Sequence, residues 1–180
     1  STYAGGGFDL VFLKFNNAGI RQMATYFGGN GNENIQMYDA IAVDHCDNVF
    51  LTSNESSNIT NLSLKTNCTG GFQDNSFGPG SDILIAMFDN TGNQLWTTLF
   101  GGDGTDKYGG LDVGTDNSLY ITGEWASTRS SATYPVTNLA GAYLDPTFND
   151  ISADDSFIAK FTPINPPSPT ISKTNPTSCA

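Results

Sequence analysis

A single histidine, His45, stands beside Cys46 in the run DHCDN, so any Ser/His/Asp or Cys/His nucleophilic set in this 180-residue chain must be built on it. No GxSxG nucleophile elbow accompanies it, and a histidine in a turn is ordinarily solvated, so nucleophilic catalysis is not expected. Glycoside hydrolysis asks instead for two carboxylates held across a substrate. Asp103, Asp106, Asp112, Asp116, Glu124, Asp154 and Asp155 supply carboxyls, but Asp at turns and strand starts ordinarily bonds its own backbone, and the spacing singles out no pair. The run GGDGTD sets oxygen ligands among glycines, which makes Asp103 and Asp106 the calcium candidates, although the spaced Glu of an EF-hand loop is missing. Gly101, Gly102 and Gly104 open no helix, so a phosphate cradle is not supported. The three cysteines show no CxxC spacing, and a structural zinc site is not expected.

Two long loops, Ser53 to Ser81 and Gly123 to Asp154, are the best places for binding. The second carries Trp125, Tyr134 and Tyr143, aromatic rings that could stack on a sugar or a partner protein, with packing against a neighbouring loop as the plainer role for Trp125. The first carries Asn-x-Ser/Thr sequons at Asn54, Asn58, Asn61 and Asn67, which matter only in a secreted eukaryotic protein. Cys46 and Cys68 are the disulfide candidates, a bridge that would tether the first loop in an oxidising exterior; free buried thiols are the alternative. Cys179 then pairs elsewhere or stays free.

What must position these residues is read from composition and repetition. Charged residues are sparse, while Gly, Asn, Thr and Ser separate short runs of β-favouring residues. The formal net charge of -11 repels phosphate backbones and anionic surfaces, so nucleic acid is excluded as an expected partner. The longest apolar run, ILIAMF at Ile83 to Phe88, falls far short of the ~20 residues of a membrane helix, and no membrane insertion is expected. The opening STYAGGGFDL carries neither an initiator Met nor a signal peptide, so the chain is expected to begin inside a longer precursor or after processing.

The sequence repeats itself. FDLVFLKFNNAGI from Phe8 matches SDILIAMFDNTGN from Ser81, DSFIAKF from Asp155 begins a third copy, and Asp9, Asp82 and Asp155 stand 73 residues apart. ATYFGGNGNEN answers TTLFGGDGTDK at the same interval, and AIAVDHCDNVFLT answers GLDVGTDNSLYIT at 70 residues. Each unit holds four strand candidates in two antiparallel pairs, with NNAG, DNTG, DHCDN and GTDN as hairpin turns. Four-stranded units at a fixed period point to blades around an axis; a β-sandwich explains the hairpins but not the long-range copy.

FDLVFLKFNNAGI, FGGNGNENIQMYDAIAVDHCDNVFLT, SDILIAMFDNTGNQLWTTLFGG and DSFIAKF together resemble the SBBP-type β-propeller repeat of bacterial secreted and surface proteins, over about Gly7 to Phe161. The resemblance implies AIAVD as the innermost strand of a blade, NVFLT second, DILIAMF third and QLWTTLF outermost. The chain then holds two strands of one blade, four of the next and three of another, an incomplete ring of about two blades' content at the C-terminal end of a larger propeller. TISKTNPTSCA is similar to the first strand of an immunoglobulin-like repeat of Bacteroidetes surface adhesins, which implies a long exported polypeptide and a substrate of type IX secretion.

The expected organisation is all-β, with propeller blades over residues 1–162, a proline-rich linker over 163–169 and the start of a further β-sandwich domain over 170–180. The expected role is non-enzymatic: adhesion, surface display or protein interaction on the cell surface or outside it, with no resident cofactor unless calcium. Other domains of the same polypeptide and surface or secretion-apparatus proteins are the expected partners. A carbohydrate-binding propeller using Trp125, Tyr134 and Tyr143 is one alternative. The other is part of a quinoprotein enzyme, since DNTGNQLW is similar to the TGxxxW pattern of pyrroloquinoline-quinone propellers.

Overall fold

Runs such as LVFLKF, DILIAMF and QLWTTLF are short, β-branched or aromatic, and bounded by Asn, Asp and Gly, so each forms a strand that ends where its turn residues begin. The computed structural model describes residues 5–35, 39–55, 72–126 and 154–162. Ten strands lie within them: β1 (Leu10–Phe15), β2 (Arg21–Phe27), β3 (Glu33–Asn34), β4 (Ile41–Val43), β5 (Val49–Glu55), β6 (Asp82–Phe88), β7 (Gln94–Phe100), β8 (Lys107–Val113), β9 (Leu119–Trp125) and β10 (Asp155–Phe161). No helix occurs among the described residues. The expected linker at 163–169 and further domain at 170–180 lie outside them.

The hairpin turns are copies of one another in their hydrogen bonds. Before β2, the Asn16 side-chain oxygen accepts from the Ala18 and Ile20 amides at 3.0 and 2.9 Å, and Gly19 takes φ 73°. Before β7, Asp89 accepts from Thr91 and Asn93, both at 2.8 Å, and Gly92 takes φ 88°. Asp44 does the same for Cys46 and Asn48 in the β4–β5 turn, where Asp47 takes the left-handed conformation. Each Asx side chain satisfies amides that the tight reversal leaves without a strand partner.

Every ladder between these strands is antiparallel. The strands form three open sheets: β1–β2, a central sheet running β5–β6–β7, and β8–β9–β10. β5 divides its free edge, pairing with β4 at Ile41↔Leu51 to Val43↔Val49 and with β3 at Asn34↔Asn54 and Glu33↔Glu55. The sequence grouping of two, four and three strands therefore appears, with β3 as a two-residue addition that propensity did not reveal.

The sheets pack face to face through β6, whose seven residues are all buried. Its odd-even alternation sends Leu84, Ala86 and Phe88 toward Leu10, Phe12 and Phe27 of the first sheet, with the Phe88 ring 5.2 Å from both phenylalanines. Ile83, Ile85 and Met87 turn the other way, into a cluster with Tyr108, Leu111, Ile121 and Phe157 of the third. The 73-residue copy keeps these directions. Leu10 and Phe12 face onward as Ile83 and Ile85 do, and Phe157 and Phe161 face back as Leu84 and Phe88 do.

The copies at the ends have nothing to face among the described residues. Val11, Leu13 and Phe15 correspond to Leu84, Ala86 and Phe88, yet are 46% to 55% exposed where those are 3% or less. At the other end Ile158, the copy of fully buried Ile85, is 78% exposed. The stack thus shows the same kind of apolar face at each end that it buries in its middle.

Candidate functional site

The sequence candidates separate once placed. His45 is exposed in the β4–β5 turn, and its amide donates to the Asn117 side chain at 3.2 Å. That contact docks the turn against its own 70-residue copy before β9. Asp112 is an exposed carboxylate bonded to the Val113 amide, and Asp116 sits in the β8–β9 turn with Lys160 at 3.0 Å. Lys107 lies 3.3 Å from Glu124 and 3.7 Å from Asp154. Asp155 begins β10.

Trp125 is 3% exposed, its ring against Phe100 and Phe157 at centroid distances of 5.7 and 6.0 Å. Trp96 is a core residue as its strand position predicts, and its indole donates to the Phe72 carbonyl at 3.0 Å. Asn54, first of the sequons, is buried in β5 and accepts from the Tyr108 amide, which leaves no room for a glycan there. Cys46 is disulfide-bonded. Cys68, Cys179, Tyr134, Tyr143 and the remaining sequons lie outside the described residues.

What the fold does bring together is a set of carboxylates. Register places Glu33 of β3 opposite Glu55 of β5, and Glu55 opposite Asp82 of β6, so three acidic residues lie side by side across adjacent strands. All three are buried. Like charges directly opposite one another oppose sheet formation, and burial removes the water that would screen them.

The row continues into both neighbouring sheets. Glu33 follows the FGG of the first unit: its amide donates to the Phe8 carbonyl, and its carboxylate accepts from the Gly29 amide at 2.9 Å, beside Asp9. Asp106 follows the FGG of the second. Its amide donates to the Ser81 carbonyl at 2.7 Å, and its carboxylate accepts from Gly102 at 2.7 Å and Ala126 at 3.0 Å. The Glu33 and Asp106 loops are therefore the same device, 73 residues apart, each carrying an acid back to the Asp that begins the neighbouring strand.

The two glycines at the ends of these strands leave space for the convergence. A Cβ on Gly101 would lie 2.4 Å from Asp82 Oδ1 and 2.9 Å from Asp106 Oδ2, and one on Gly28 would lie 2.1 Å from Glu33 Oε2 and 3.1 Å from Asp9 Oδ1. Asp82 Oδ2 accepts from the Gly78 amide at 3.2 Å, while its Oδ1 is enclosed with no hydrogen-bond donor, as is Glu33 Oε2. Burial pushes the Asp82 carboxyl up to about 7, with Asp106, Asp74 and Glu55 adding to the rise against the Gly78 amide. Burial raises Glu33 likewise, helped by its contact with Glu55. No lysine or arginine is among the groups acting on either.

Sequence reading singled out Asp106 of this row and took Asp82 as a strand-start residue, but passed over Glu33 and Glu55. The signal for Glu33 was its copy position with Asp106; nothing local marks Glu55, which becomes part of the row only through strand register. Among the described residues no three His, Cys, Asp or Glu side chains are grouped as a metal centre. Comparison with known proteins finds no matching family model and no matching curated relative.

Proposed function

We propose that this chain is a portion of a β-propeller serving as a non-enzymatic adhesion or protein-interaction module of an exported bacterial polypeptide. The observation that carries the reading is the directional stack. Each unit faces its predecessor with one set of alternating side chains and its successor with the other, so further units of the same kind fit both open ends. Radial repetition of such sheets closes into a ring that covers every apolar face and shelters the strand edges. The acid and histidine candidates for catalysis are scattered among turns and surface ion pairs, which favours a structural or binding role. The surface assignment and the link to type IX secretion rest on the resemblance in sequence.

An in-frame deletion of residues 8–161 from the parent polypeptide in its source organism tests the function. Loss of cell attachment or of a surface partner, with the undeleted protein cleaved by protease on intact cells, supports the reading. Full attachment by the deletion strain, or complete protection of the undeleted protein inside intact cells, contradicts it.

A further inference from the structure

We propose that the junctions between sheets bind calcium, with Asp82 and Asp106 supplying carboxylates at one junction and Asp9 and Glu33 at its 73-residue copy. Three observations converge. Asp82 is 1% exposed and its Oδ1 has no donor, yet it points to the same spot over Gly101 as Asp106 Oδ2. Glu33, 2% exposed with Oε2 likewise without a donor, does the same with Asp9 over Gly28. The groups acting on Asp82 and Glu33 include other acids and no basic side chain, so the protein itself provides no compensating positive charge.

Buried carboxylates of one sign persist only with a cation or a proton between them. All the side-chain ligands are hard oxygens, the chemistry of calcium rather than of zinc or copper. Two side-chain carboxylates per junction, rather than three or more, leave the remaining positions to backbone carbonyls of the glycine loops and to water. Such low ligand charge gives weak affinity, on the order of 10⁻⁴–10⁻³ M, suited to calcium outside cells. The site shifts the sequence candidate: Asp106 stays, and its partner is Asp82 rather than Asp103. Bound calcium would tie the strand start of one sheet to the first loop of the next, locking the stack at each junction.

The test follows thermal unfolding of the 180-residue protein at constant ionic strength in chelator, calcium or magnesium, with terbium luminescence as a direct probe. Saturating calcium is expected to raise Tm by roughly 3–6 °C, magnesium less, and terbium excited through the nearby Tyr108 and Trp125 is expected to emit until calcium displaces it. Asp82→Asn is expected to remove part of the calcium response and Asp82→Asn with Asp9→Asn all of it, whereas Asp112→Asn, on an exposed carboxylate, keeps it. No calcium-specific rise in the unmodified protein, or a rise retained by the double variant, overturns the proposal. So does a double variant more stable in chelator from a parent indifferent to calcium, since protons alone would then neutralise the row. If the variants do not fold, the terbium arm decides: emission that calcium displaces upholds the site, and its absence removes it.

Discussion

Asp116 is ringed by donors at the outer turn of the third sheet, with the Ser118 amide at 3.0 Å, the Ser118 hydroxyl at 2.9 Å and Lys160 at 3.0 Å. The Ser118 amide first, and Lys160 after it, hold the carboxyl down at about 2. A carboxyl lowered in the folded state stabilises it above the unfolded value of 3.8, and that contribution disappears as pH falls through 3.8 toward about 2. NMR titration should find Asp116 near 2, and Lys160→Ala should raise it only part of the way, because the amide remains. The glycines are tested at the same scale. Gly19→Ala meets open space but a left-handed φ, and should cost about 1–2 kcal/mol in denaturant unfolding. Gly101→Ala presses its methyl on Asp82 and Asp106 at 2.4 and 2.9 Å, and should lower stability further than Gly19→Ala does. Equal stability of the two would mean that the carboxylates move aside freely.

Among the elements, the turns carry the clearest energetic prediction. Removing Asp89 leaves the Thr91 and Asn93 amides without their acceptor, and Asp89→Ala should cost about 1–3 kcal/mol, read as a shift in denaturation midpoint. Asn16→Ala should lose a similar or smaller amount, since its turn is the same device on a half-covered hairpin. These turns were legible because Asn, Asp and Gly have local reasons for their positions, and so were the strands they separate. β3 was not: two residues of Glu and Asn have no strand propensity, and they pair with β5 only because the Glu33 loop is pulled back to the Phe8 carbonyl. The acid row was hidden for the same reason. Glu33, Glu55 and Asp82 are distant in sequence and become neighbours through register, which no local pattern encodes. Trp125 was ambiguous in sequence between loop stacking and packing; its burial against Phe100 and Phe157 follows from its place as the last residue of β9.

Taken as a whole, the molecule is a stack with two apolar ends, and the account predicts that covering them is the business of further repeat units. The isolated 180-residue protein should therefore self-associate with rising concentration in sedimentation velocity, since Val11, Leu13, Phe15 and Ile158 form faces with a known complement in the same repeat. Leu13→Lys with Ile158→Lys should reduce that association without altering the buried junctions. The face order itself was partly legible: the 73-residue copy assigns Leu13 to Ala86 and Ile158 to Ile85, but only the packing reveals which alternate set looks back and which looks onward. The most direct measurement is a structure of the native polypeptide that contains this chain. The account predicts Val11, Leu13 and Phe15 buried under a further four-stranded antiparallel sheet, and Ile158 buried under another. Those side chains left in solvent, or covered by something other than such a sheet, would contradict it.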